Sequence, residues 1–140
     1  MFRYNIVINR VVDGDTIDVD IDLGFDVWLK NKRVRLAQFD AAESRTSDKV
    51  EDAVGEYTRD LIKYRYPECT SGVLQSEEFH RGKYGRIIGN IVTEHGLSWS
   101  GFLLDLDLVV AEKTHQSAKT AFWHGRYEEL LEQGLIGKHE

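Results

Sequence analysis

The sequence predicts an α+β architecture that is mainly β, and three observations predict it. Thr16 to Leu23 alternates strictly, with Ile17, Val19, Ile21 and Leu23 on one face and Thr16, Asp18, Asp20 and Asp22 on the other. Other alternating runs flank it on both sides and recur from Val73 onward. Three further segments carry apolar residues at helical spacing, one between the two groups of strands and two after them.

In chain order, residues 3–12 read as the first strand, with Tyr4, Ile6 and Ile8 on one parity. Asp13-Gly14 is a turn or bulge signal. Thr16 to Leu23 is a half-buried strand with a solvated acidic face. Gly24-Phe25-Asp26 breaks it, and Val27 to Phe39 resumes as the second arm of a long hairpin. That arm changes phase: Val34 and Leu36 share one parity, Ala37 and Phe39 the other. A bulge near Leu36-Ala37 accounts for the change, because one extra residue exchanges the faces, and it lets Arg35 and Asp40 share a face.

Thr46 to Tyr64 reads as the first helix, with Val50, Ala53, Val54, Tyr57 and Leu61 as its apolar face, Ser47 or Asp48 as its cap and Pro67 beyond its end. Val73 to Phe79 and Tyr84 to Thr93 are two more strands, joined by a loop around Arg81-Gly82. Ser98 or Ser100 opens a second helix bearing Trp99, Phe102, Leu103 and Leu106. Gln116 to Gln133 is the third, with Gly134 as C-terminal cap and Gly125 as a weak point that invites a kink. Three strands, a helix, two strands and two helices is the order of a five-stranded OB-fold barrel with three packed α-helices.

The chain of 140 residues is read as a single domain over 1–140, able to bury a core without disulfides. No apolar run approaches the ~20 residues of a membrane span. The N-terminus alternates like a strand and not like a signal peptide, and Cys69 is the only cysteine. These features point to an intracellular protein with no membrane partner and no internal disulfide. No obligate protein partner is evident, and a monomer is expected. The net charge of −6 counts against a general nucleic-acid binder. Two local basic groups run against that average: Lys30, Lys32, Arg33 and Arg35, then Arg81, Lys83 and Arg86. Taken alone, each reads as a solvated strand face; lining one face together, they would make that face positive.

Five residues stand out chemically. Asp15 lies two before Ile17, in the inward phase of its strand, where a carboxylate is costly unless a cation or several donors satisfy it. Its plainer use is to cap the Asp13-Gly14 turn. A hairpin turn centred near residues 27–28 would set Asp40 roughly opposite Asp15. Like charges there destabilise a sheet, and a divalent cation between them turns the repulsion into a site. Two carboxylates, a backbone carbonyl and waters suit one Ca²⁺, and the same set admits Mg²⁺. Glu43 is either a base that takes or orients a water proton, or an exposed Glu near a helix N-terminus. Arg35 and Arg86 are candidate phosphate clamps, each able to hold two phosphate oxygens as charge builds on them. The set is the equipment for hydrolysing a phosphodiester.

The ordered runs Val11-Val12-Asp13-Gly14-Asp15-Thr16, Arg35 to Glu43 and Lys83-Tyr84-Gly85-Arg86 resemble the staphylococcal (micrococcal) nuclease, or thermonuclease-like, family over about residues 3–133. The resemblance implies a Ca²⁺-dependent endonuclease and exonuclease that cleaves DNA or RNA and leaves a 3′-phosphate. It implies metal ligation by Asp15, Asp40 and the Ala41 backbone carbonyl, and catalysis by Arg35, Glu43 and Arg86. It also implies nucleotide-phosphate contacts by Lys83 and Tyr84. There are departures. The family's usual Thr-Pro is Ala41-Ala42 here, which implies a looser loop at Glu43, and a base-stacking aromatic falls near Glu112.

Three rival readings have discriminating features. A catalytically weak OB-fold module that binds nucleic acid or protein would not need all five charged residues. An EF-hand on Asp18, Asp20 and Asp22 fails because Leu23 and Leu29 stand where Gly and Glu are required. An acidic nucleic-acid mimic has no use for Arg35, Glu43 and Arg86 together. His80, His95, His115, His124 and His139 show no metal-ligand spacing, and Trp28, Trp99 and Trp123 are expected in the core.

Overall fold

The computed structural model describes residues 2–81, 86–93 and 96–137, with the backbone alone for 77–81. Its strands are β1 (Phe2–Asp13), β2 (Thr16–Asp22), β3 (Trp28–Leu36), β4 (Phe39–Ala41), β5 (Ser71–Arg81), β6 (Ile87–Val92) and β7 (Val109–Ala111). Its helices are α1 (Lys49–Arg65), α2 (Trp99–Asp105) and α3 (Gln116–Glu132). Five strands close a barrel in the order β1-β2-β3-β6-β5, with β3–β6 as the one parallel pair among the described residues. The expected OB-fold-like barrel with three helices is therefore present, and β4 and β7 form a separate two-stranded sheet beside it.

The alternation of β1 and β2 sends Ile6, Ile8, Ile17, Val19 and Ile21 into the barrel, where they meet Val34, Leu36, Leu74 and Ile91. Trp99 and Leu103 of α2 join that core, and the Trp99 indole N–H donates to the Gly14 carbonyl at 2.8 Å. A second cluster lies between α1 and α3, built on Ala42, Val54, Trp123, Tyr127 and Leu130. The Asp48 carboxylate caps α1 by accepting from Val50 N and Glu51 N.

Several expectations are corrected. The second hairpin arm does not run through to Phe39. Barrel pairing stops at Leu36, the backbone takes a positive φ of 70° at Gln38, and Phe39–Ala41 pairs with Val109–Ala111 as a new sheet. The phase change at Leu36-Ala37 is thus an exit from the barrel and not a bulge. The irregularity lies earlier, between Val19 and Ile21 of β2. There Asn31, facing it on β3, has a φ of 53°. The turn centres on Gly24-Phe25-Asp26, with Asp22 opposite Trp28, so Thr16 faces Arg35 and Asp40 has no partner in β2.

The acidic row is not simply solvated. Asp18 is buried and accepts from Arg33, and Asp20 accepts from Asn9, Lys30 and the Asn31 N–H. Those contacts consume much of the first basic group. Trp28 and Leu23 are exposed, because the barrel ends before they reach its interior, whereas Trp99 and Trp123 are core residues as expected. Helix α1 begins at Lys49 and not at Thr46, and α3 runs through Gly125 without a break.

Candidate functional site

The exit from the barrel at Leu36 assembles the site. Asp15 ends the turn between β1 and β2, and its main-chain carbonyl accepts from Leu36 N at 2.9 Å. Its carboxylate accepts from Ala41 N at 3.0 Å and from the Thr16 hydroxyl at 3.0 Å. Gly14 lets this turn sit tightly, since a Cβ there would meet Thr58 Cγ2 of α1 at 2.6 Å and Ala41 Cβ at 3.1 Å. Burial pushes the Asp15 carboxyl above the ordinary carboxylate range, and the Ala41 N–H, the Arg35 charge and the Thr16 hydroxyl only partly offset it.

Arg35 projects from β3 toward both aspartates. Its Nη1 donates to the carbonyls of Leu36 and Phe39 at 2.5 and 3.0 Å, which folds the chain back on itself after the strand ends. Its Nη2 pairs with Asp40 Oδ1 and lies 3.8 Å from Asp15 Oδ2. Arg35 and Asp40 thus do share a face, as expected, although the barrel exit and not a bulge brings them together.

Glu43 follows β4 on a loop with an exposed side chain. Without the proline, carboxylates hold that loop. Glu51 Oε2 accepts from Glu43 N at 3.0 Å, Asp52 Oδ1 from Arg45 N at 2.5 Å, and Asp13 from both Ser44 N and the Ser44 hydroxyl. Burial first, then the nearby Glu43 and Asp48 charges, push the Glu51 carboxyl above its ordinary range. Helix α1 approaches the loop at Gly55, where an added Cβ would lie 2.5 Å from Ser44 N and overlap the Glu43 carbonyl.

These segments enclose a cavity of about 420 Å³ lined by Asp15, Arg35, Asp40, Ala41, Glu43 and Arg86, among others. The six residues arrive from three stretches of chain. Lys83 and Tyr84 lie outside the described residues, and Glu112 is exposed beyond β7. A neighbouring groove of about 590 Å³ shares Asp13, Thr16 and Arg86 with the cavity and adds Arg33 and Arg45.

Sequence reasoning missed several contributors, two of them charged residues on helices. Glu51 and Lys119 also line the cavity. Lys119 comes from the first turn of α3, and its Nζ donates to Asp40 Oδ2 at 2.5 Å and to the Glu112 carbonyl at 2.9 Å. Nothing local marks it: a lysine in an amphipathic helix reads as surface. Among the described residues the cavity collects five carboxylates, of Asp13, Asp15, Asp40, Glu43 and Glu51, against three cations, of Arg35, Arg86 and Lys119. Fully ionised, these described groups together carry a surplus of two negative charges.

No helix among the described residues is long and apolar enough to cross a membrane. No protein-family model matches the sequence. An uncharacterized endonuclease of Escherichia coli is 32% identical over 95 residues, covering 68% of this chain and 52% of that protein. The chain therefore spans about half the length of the relative it matches, and that relative is named as an endonuclease.

Proposed function

We propose that this chain is a Ca²⁺-dependent nuclease that hydrolyses phosphodiester bonds of DNA, RNA or both and leaves 3′-phosphate ends. The observation that carries the reading is the cavity itself, where Asp15, Asp40, Glu43, Arg35 and Arg86 converge from separate segments. The relative named as an endonuclease supports it.

The residues present fit a divalent cation. Asp15 is a half-buried carboxylate whose pKa is raised by desolvation, so it gains from a cation beside it. Among the described residues no three His, Cys, Asp or Glu side chains group as a ready-made metal cluster. Asp15, Asp40 and the Ala41 carbonyl would hold such an ion, and oxygen ligands of this kind suit Ca²⁺ and admit Mg²⁺. When bound, the ion supplies charge neutralisation and polarisation at the scissile phosphate.

The chain's own side chains do the rest. Glu43 orients a water for in-line attack and accepts or directs its proton. The water oxygen bonds to phosphorus, the bond from phosphorus to the 5′ oxygen breaks, and that oxygen leaves with a proton. Arg35 and Arg86 hold the non-bridging oxygens as charge accumulates on them. Lys83 and Tyr84 contact the nucleotide's phosphate end.

Digestion of single-stranded DNA, duplex DNA and RNA, with Ca²⁺ or excess chelator, tests the reading. Glu43→Gln, Arg35→Ala and Arg86→Ala are each expected to lose about 10²-fold or more in rate. Parent-like digestion by all three variants, or undiminished cleavage in chelator, would overturn it.

A further inference from the structure

We infer that Lys119 is an internal counter-ion that a divalent cation must displace from Asp40 in order to bind. The inference rests on the cation reading above and concerns a residue of α3 that neither the sequence motifs nor the barrel accounts for. The two aspartates differ in what holds them. The Asp15 oxygens accept from neutral donors, Thr16 and Ala41, with the nearest Arg35 nitrogen at 3.8 Å. The Asp40 oxygens both meet cations: Oδ1 pairs with Arg35 and Oδ2 accepts from Lys119 at 2.5 Å. A cation held by the pair meets the Lys119 ammonium at the same carboxylate, where the two positive charges repel.

The two cationic partners of Asp40 are not equally movable. Arg35 is fixed by two main-chain carbonyls as well as by its ion pair. Lys119 carries a compact ammonium on a flexible four-carbon stem and has one other acceptor, the exposed Glu112 carbonyl at 2.9 Å. Displacement therefore falls on Lys119. Its side chain is only 14% exposed, so the contact is made inside the cavity and not on an open surface where solvent would screen it. The arrangement sets cation affinity from α3, more than seventy residues along the chain from β4. It also couples the ion to the start of that helix, because the Glu112 N–H is itself held by the Gln38 carbonyl at 2.8 Å.

Calcium alone is titrated into the metal-free 140-residue chain by calorimetry. Trp123 lines the same cavity, and its emission gives a second readout. Lys119→Met is expected to bind calcium about tenfold more tightly than the parent, or better, because a charge-assisted bond to the ligand oxygen is gone. Lys119→Arg is expected to bind no more tightly than the parent. Lys113→Met removes an exposed charge nearby that does not touch Asp40, and it should change affinity by less than about threefold. Circular dichroism checks the fold, and Lys119→Gln serves if the methionine variant does not fold.

Parent-like or weaker calcium binding by the neutral Lys119 variants, in a parent that binds calcium, overturns the role of Lys119 alone. Calcium binding by none of the proteins overturns the cation reading, and the role of Lys119 with it. An equal gain in Lys113→Met would reduce the effect to net charge and overturn the contact-specific inference.

Discussion

Substituting Gly55 should damage the site from behind, through a residue with no chemistry of its own. An alanine Cβ at this position would lie 2.5 Å from Ser44 N, where ordinary contacts begin near 3.4 Å. Either the Glu43–Ser44 peptide or helix α1 must retreat by about 1 Å. The loop is the softer side, because α1 is clamped by the buried Val54, Thr58 and Ile62. A displacement of that size at a catalytic group costs on the order of 10²-fold in rate. Stability should change by a smaller net amount, about 0–2 kcal/mol. Overpacking costs about 1–3 kcal/mol, and Gly→Ala in a helix interior returns about 1 kcal/mol.

Gly125→Ala in α3 is the matched control, since an added Cβ there meets nothing within 4 Å. It should stabilise the protein by about 1 kcal/mol, raising Tm by roughly 4 °C, with activity unchanged. Initial rates on a labelled oligonucleotide and thermal melts of both variants complete the comparison. A Gly55→Ala protein that cleaves at the parent rate would refute the claim that this glycine seats Glu43.

Two other perturbations follow from the same geometry. Folding raises the pKa of Asp15, so its contribution favours the folded state below about pH 4 and is lost as pH rises through the folded-state value. Without metal, Asp15→Asn should therefore melt higher than the parent near neutral pH and lose less stability on going up from pH 4, while added Ca²⁺ should stabilise the parent and not the variant. Thermal melts across pH 4–8 that coincide for the two proteins would contradict this. Arg45 is exposed in the groove that continues from Arg86, so Arg45→Ala should weaken binding of an oligonucleotide and reduce its salt slope by about 1, while hydrolysis of a single-phosphodiester nucleotide ester stays at the parent rate; equal effects on both substrates would place Arg45 in the chemistry instead.

The barrel was legible because its strands carry their burial in a period of two. Ile17, Val19 and Ile21 announce an inward face without any knowledge of their partners. The β4–β7 sheet was not legible, because it joins Phe39–Ala41 to Val109–Ala111, two three-residue segments seventy residues apart and too short for any periodicity. The same gap misled the reading of Leu36-Ala37, where a change of phase can mean a bulge or a departure from the sheet.

At the site, Asp15, Arg35, Asp40, Glu43 and Arg86 could be singled out because carboxylates and arginines recur there in short, ordered runs. What holds them could not. Glu51, Asp52 and Asp13 act through side-chain bonds to a loop backbone, Gly55 acts through the absence of a side chain, and Lys119 reaches Asp40 only once α3 is docked. Each looks locally like an ordinary helix or turn residue.

A crystal structure of the parent with Ca²⁺ and a dinucleotide whose bridging 5′ oxygen is replaced by a methylene would bear most directly on where the chemistry happens. The ion should be held by Asp15 and Asp40 with Lys119 turned away, and the phosphonate oxygens should sit against Arg35 and Arg86 with Glu43 facing the phosphorus. A phosphonate bound elsewhere on the barrel, with Asp15 and Asp40 still without a cation, would contradict the account.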